Sequence, residues 1–383
     1  MAKDALRDKA AVVGVGCCQF GENWDQSPSD MIVDAAYEAY ADAGIDDPQA
    51  RIDAVFTGSI YSQKGPHECS DALKLFGKPV TTVSNYCATG TDAFRCGVIS
   101  VACGLYDTVL VVGYDKPKDR GVSGPSVMMN GVRDLPQTPA GWFALCASTY
   151  FDKYGAGRED LARIAIKNHH NGTLAPNSFL KREITLDDYL KGRLISWPFG
   201  LYDCAAQTDG AAAAIITRAD LAKSFRPDPV MVKGVTVIAG PNPQKDPGND
   251  FLSWKPTAWA AEDVYAQAGV GASNIDVAQV HDCFSLTELL TYEDLGFCEK
   301  GAAKDHIQAG RFELGGELPV NTDGGLKSFG HPTGATGVRM IYENVLQLQG
   351  RADKRQVPDA EIALSHNIGG HPTACGIAIL ARS

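Results

Sequence analysis

The stretch SNYCATGTDAFRCG, residues 84–97, sets Cys87 directly before a run able to wind into a helix. Cysteine attacks as its thiolate, and the positive end of a helix dipole favours that charge. The placement predicts a lowered thiol pKa at Cys87, with Ala88, Thr89 and Gly90 small enough to let a substrate approach the sulfur. A second loop, GGLKSFGHPTGATG at 324–337, is glycine or proline at six of its fourteen positions and puts His331 where another helix begins. A histidine there is placed to take a thiol proton or to donate to a developing oxyanion. The third loop, VHDCFS at 280–285, follows an apolar strand and carries His281 and Cys283 two residues apart. On a strand the pair would share one face; in a loop both could enter a pocket. The fourth, SHNIGGHPTACG at 365–376, offers backbone amides around Gly369 and Gly370 of the kind that form an oxyanion hole, while Cys375 lies in an apolar run and reads as core.

Other chemistries fit less well. The eleven cysteines are scattered, with no C-x-x-C pair, and no H-x-x-x-H accompanies them, so no metal site is expected and reduced thiols are. The G-x-G of KAAVVGVGCCQFG (9–21) lacks the third glycine and the acidic residue of a dinucleotide fingerprint. A formal net charge of −11 argues against general nucleic-acid binding. The charged N-terminal stretch has no signal-peptide core, and no window reaches the length of a membrane span, which together predict a cytoplasmic protein.

Positioning four loops takes a scaffold. At 383 residues, with 44% apolar and 21% charged residues, the chain is long enough for two core units or one unit duplicated. Strand-like KAAVVGVGCC, helical PSDMIVDAAYEAYADAGI, strand-like IDAVFTGSI, the helix after Cys87 and TVLVVGYD follow one another, the alternation of an α/β fold with a parallel sheet. Residues 119–207 are rich in Pro, Gly, Asn and helical pieces and read as an excursion from that sheet. A second round begins near PVMVKGVTVIAG at 229–240. Both rounds hold a Gly/Thr-rich loop opening a helix and close on an apolar strand, so the halves are drawn at 1–225 and 226–383.

At SNYCATG, HDCF, GGLKSFGHPTGATG, YDCAAQTDGAAAAII and HNIGG the chain resembles the thiolase family over its whole length, in particular the sterol-carrier-protein-2-type and archaeal thiolases. The resemblance implies a five-layered α/β/α/β/α fold of two similar halves, the 119–207 region lying over coenzyme A. It implies Cys87 as the acylated nucleophile, His331 as its activator and His281 as an oxyanion donor. A second hole would use the backbone amides of Cys87 and Gly369. Many thiolases carry a further cysteine in a terminal C-x-G; here those positions read Asn367-Ile-Gly369, so Cys283 of HDCF is the expected acid/base.

Coenzyme A is expected as co-substrate, with no permanently bound cofactor. Met128, Arg193 and Lys167 are the candidates to contact it, beside Arg158, Arg163, Lys181 and Arg182. The resemblance further implies a homodimer or homotetramer, a bulky aromatic or sterol-derived acyl group from lipid or aromatic degradation, and a separate zinc-ribbon/OB-fold (DUF35) partner. Three alternatives stay open at this point. They are a retro-aldolase, whose relatives tend to lose the cysteines kept here, a decarboxylating ketoacyl-synthase-like enzyme, and a non-catalytic acyl-CoA-binding subunit.

Overall fold

Runs of apolar residues without alternation become strands covered on both faces. The first half of the chain lays down β1 (Ala10–Cys17), β2 (Ala54–Gly58), β3 (Val80–Val83), β4 (Thr108–Asp115) and β5 (Gly210–Arg218). The second adds β6 (Val230–Ala239), β7 (Val277–Gln279), β8 (Ile362–Gly369) and β9 (Ala374–Arg382). This computed structural model describes residues 4–62, 65–121, 138–243 and 245–383.

Hydrogen bonds order the strands β3-β2-β4-β5-β1-β6-β9-β8-β7. Outward from the centre, β1-β5-β4-β2 and β6-β9-β8-β7 repeat one pattern, two antiparallel pairings and then a parallel one. β3 continues the first series in parallel, and a single parallel bridge from Ala278 to Val320 stands in its place in the second. The halves join where β1 meets β6, Ala11 opposite Met231 and Val12 opposite Val230.

Seven longer helices complete the frame: α1 (Pro28–Asp42), α2 (Thr89–Ala102), α3 (Pro139–Tyr154), α4 (Arg158–Leu174), α5 (Lys255–Ala268), α6 (Ser285–Asp294) and α7 (Thr336–Leu348). α1 covers β1 and β5, α5 covers β6 and β9, and α2 and α7 pack on each other and on strands of both halves. The result is the five-layered arrangement, with α2 and α7 as its middle layer. The two middle helices approach closely at their first turns. A Cβ on Gly337 would sit 2.3 Å from the Thr91 nitrogen, and one on Gly90 2.8 Å from the Gly334 oxygen. This contact brings the loops preceding the two helices, with Cys87 and His331, to one place.

The G-x-G of β1 finds its reason in packing. Cβ atoms on Gly14 and Gly16 would lie 2.3 and 2.1 Å from the Ala39 and Ala35 oxygens, so the pair lets α1 rest on the strand. The described part of the excursion is mainly helical, with a short hairpin of Leu194–Ser196 and Phe199–Gly200. Through α3 and α4 it packs against α6 of the second half. Buried apolar side chains form two clusters, one centred on the first half and one shared by the second half and the excursion. Among the described residues no helix is long and apolar enough to cross a membrane.

Candidate active site

The nucleophile loop joins β3 to α2. Tyr86, just before Cys87, has φ +49, a conformation that costs a non-glycine residue roughly 1–2 kcal/mol. Thr89 holds it there. Its hydroxyl donates to the Tyr86 oxygen at 2.5 Å and accepts from the Asn85 amide at 2.7 Å. Cys87 is half-buried, and α2 begins two residues later. The expected drop in thiol pKa is not found: burial pushes the Cys87 thiol up to about 12, outweighing the N–H groups of Gly370 and of Cys87 itself that point at the sulfur. The resting group is therefore a neutral thiol that needs a base.

That base is His331, held before α7. Its backbone amide donates to the Ala206 oxygen at 2.9 Å, and the next residue, Pro332, is pinned by its oxygen, which accepts from the Thr336 hydroxyl at 3.0 Å. Gly334 donates to the buried Asp115 carboxylate at 2.7 Å, and Asp115 also accepts from Ser59 Oγ and the Tyr61 amide at the end of β2. The Thr336 hydroxyl lies 2.7 Å from His331 Nδ1. Assigning the hydroxyl proton to the Pro332 oxygen makes Nδ1 the donor and leaves Nε2 a free lone pair. Burial lowers the His331 pKa to about 3, which keeps the ring neutral.

His281 comes from the loop after β7, and its hydrogen bonds give the opposite tautomer. The Thr91 hydroxyl donates to Asn367 Oδ1 at 2.7 Å, and Asn367 Nδ2 lies 3.3 Å from His281 Nδ1. With its oxygen occupied, Asn367 donates from nitrogen, so His281 Nδ1 accepts and Nε2 carries the proton. Burial, with His331 and His366 nearby, holds the His281 pKa well below the usual value. The Cys87 sulfur and one ring nitrogen each of His281 and His331 lie within 4.8 Å of one another. The two rings stand nearly perpendicular, 5.3 Å between centroids. One imidazole thus offers a lone pair beside the thiol and the other an N–H.

Cys283, two residues from His281, is half-buried like Cys87 and near enough to it that a thiolate at Cys87 would raise the Cys283 pKa further. Its thiol is raised by burial and lies 3.5 Å from Thr287 Oγ1. Asp282 between them faces away from the thiols and fixes the loop, accepting from Leu326 N at 2.6 Å and Asn168 Nδ2 at 2.8 Å. Phe284 stacks on Phe199 at 5.3 Å and packs on Phe143 at 4.9 Å, tying the loop to the excursion.

Gly369 is the last residue of β8, in register with Ala374, and beyond it Gly370, at φ +66, directs its amide at the Cys87 sulfur. One expectation needs correcting. Lys167 cannot meet a phosphate, because it is buried, paired with Glu288 at 2.9 Å and donating to the Val320 oxygen at 2.7 Å. Arg193 is exposed, and Met128 lies outside the described residues. Cys375 is core, as its surroundings predict. Thr91 and Thr336 escape the sequence reading. Thr91, in the first turn of α2, serves Asn367, 276 residues away, while Thr336, the first residue of α7, lies five residues after the His331 ring it touches, and that spacing is the only signal it gives.

Comparison with known proteins agrees with this arrangement. Residues 10–191 match the family description "Thiolase, N-terminal domain" and residues 246–382 "Thiolase C-terminal domain-like". An acetyl-CoA acetyltransferase of Methanothermobacter thermautotrophicus is 36% identical over 98% of this chain and 100% of its own length. Sterol carrier protein 2 of Gallus gallus is 35% identical over 95% of this chain and 70% of that protein. Among solved structures, an Ltp2-ChsH2(DUF35) aldolase superposes with a TM-score of 0.85 at 26% identity, covering 98% of each chain.

Proposed function

The chain belongs to the thiolase family and is an acyltransferase, and on that premise we propose that it cleaves a 3-oxoacyl-CoA with coenzyme A through an acyl group carried on Cys87, or runs the reverse Claisen condensation. The observation that carries this reading is the convergence of one thiol and two oppositely tautomerised imidazoles within 4.8 Å.

Cys87 attacks the 3-keto carbon while its proton passes to His331 Nε2, and the new alkoxide is met by the Cys87 and Gly369 amides. Collapse of the adduct breaks the C2–C3 bond. The electron pair goes to the acetyl-CoA enolate, whose oxygen receives the His281 N–H and whose carbon takes the proton of Cys283. Coenzyme A then gives its proton to the Cys283 thiolate and attacks the thioester, and departing Cys87 recovers its proton from His331. Because both cysteine pKa values are raised, neither sulfur carries charge before its turn. An oxyanion donor of this kind contributes ~3 kcal/mol to lowering the barrier.

In this reading the acyl group is bulky, aromatic or sterol-derived, supported by the aromatic residues Phe143, Phe199 and Phe284 beside Cys283. Exposed Arg193 is kept as a phosphate contact and Lys167 is withdrawn. A homo-oligomer, a cytoplasmic location and a DUF35 partner belong to the same proposal, the last supported by the assembled aldolase. That likeness also favours a second reading, retro-aldol cleavage of a CoA-linked side chain, against which the pair Cys87 and Cys283 stands.

The test is mass spectrometry after incubation with acyl-CoA, joined to an assay of CoA-dependent cleavage of 3-oxoacyl-CoAs of graded bulk. An adduct on Cys87 with CoA-dependent turnover is expected. Cleavage of a 3-hydroxyacyl-CoA that survives Cys87→Ala would establish the aldolase instead.

A further inference from the structure

We propose that Cys87, His281 and His331 also form a binding site for one soft divalent cation, zinc above all, whose occupancy silences the enzyme reversibly. The spacing rules that exclude a metal site look along the chain. Here three loops nearly 250 residues apart at the extremes deliver a sulfur and two ring nitrogens to within 4.8 Å of one another. Tetrahedral zinc takes sulfur at about 2.3 Å and imidazole nitrogen at about 2.0–2.1 Å, which places ligand atoms roughly 3.5 Å apart. Side-chain rotation of under ~1 Å per ligand closes the difference.

The chemistry of the three groups suits the cation. Imidazole binds a metal as the neutral ring, and the thiol becomes a ligand by giving its proton to solvent as the sulfur–metal bond forms. His331 needs no adjustment. Its Nδ1–H already donates to Thr336, the kind of outer hydrogen bond that backs metal-bound histidines. His281 needs one. Asn367 must turn its amide so that oxygen accepts from Nδ1–H, which frees the lone pair on Nε2, and Thr91 can then accept from the amide nitrogen. Cys87 and Cys283 are partly exposed, so water can reach the site to fill a fourth position. A bound cation would occupy the sulfur and the base that acyl transfer requires, so the two uses exclude each other.

The proposal rests on side-chain geometry and holds whether or not acyl transfer is the activity, so its test is spectroscopic. Reduced protein is titrated with cadmium for the thiolate-to-metal ultraviolet absorption and with cobalt for the visible bands of a tetrahedral site, and zinc then competes. One tight equivalent is expected, absent in Cys87→Ala and weakened at least tenfold in His331→Ala. Asn367→Asp, which can only accept, should tighten binding by about 10- to 100-fold while lowering turnover, opposite signs that a structural defect would not produce. Wild-type protein alkylated at Cys87 should lose the tight equivalent without any substitution. An undiminished cadmium band in alkylated protein, or an affinity unmoved by Asn367→Asp, would overturn the proposal.

Discussion

Asn367 Nδ2 faces Nδ1 of His281 across 3.3 Å, with its own oxygen held by Thr91 at 2.7 Å, so a threonine on α2 fixes which nitrogen of a histidine after β7 carries the proton. Breaking that chain should cost the N–H aimed at the enolate oxygen while leaving Cys87 and His331 in place. Asn367→Ala and Thr91→Val are each expected to lower kcat for cleavage of a 3-oxoacyl-CoA, the first by about 10²-fold, with acylation of Cys87 by a simple acyl-CoA, which expels no enolate, nearly unchanged. Stopped-flow acylation beside steady-state turnover separates the two steps. Equal losses in both would show that the chain supports the fold and not the proton.

Cys283 is assigned the proton of the enolate carbon, a role that does not arise when Cys87 is acylated by a simple acyl-CoA. Cys283→Ala should form the acyl adduct seen by mass spectrometry yet lose carbon–carbon cleavage by about 10²- to 10⁴-fold. Turnover at the wild-type rate would mean that another group moves this proton.

A thiol raised to about 12 beside an imidazole lowered to about 3 is a neutral pair, in contrast to the ion pair of many reactive cysteines. Only the thiolate alkylates, and its fraction grows as pH rises toward the thiol pKa. The rate of Cys87 alkylation by iodoacetamide should therefore climb throughout pH 6 to 9 without a plateau. A plateau near pH 7 would reveal a thiolate–imidazolium pair and reverse the assignment of the resting state.

Much of this site was legible in the sequence because its reacting side chains sit in loops of distinctive composition. Glycine density marked the loops at 324–337 and 365–376, and small residues marked the one after Cys87. The doubled topology showed in the order of apolar runs, since a buried strand is a local pattern. What stayed hidden depends on long-range contact. Lys167 looked like a phosphate ligand because a lysine on a helix is usually solvated, and nothing nearby in sequence announces Glu288. The Cys87 pKa was misjudged because the helix start is local, whereas the burial that overrides it comes from both halves.

The buried histidines also predict how stability changes with acid. His366 is fully buried, with Nε2 3.0 Å from Thr257 Oγ1 and Nδ1 accepting from the His281 amide at 3.4 Å, and burial lowers its pKa to about 3. In the unfolded chain it titrates near the ordinary value of about 6.5. Between those values the unfolded state binds a proton that the folded state refuses, so stability contributed by neutral His366 is complete above pH ~6.5 and drains away as pH falls toward 3. The slope is about 1.4 kcal/mol per pH unit for each such histidine. Asp115 and Asp203, whose carboxyls burial raises, act in the opposite sense and soften the total. Comparison with a variant isolates the histidine: His366→Gln, which keeps an acceptor and a donor but cannot titrate, should be less stable than wild type at pH 7 and close the gap steadily as pH drops from 6 to 4. Urea midpoints measured across that range give the answer, and two curves that run parallel would mean that His366 is already protonated in the fold.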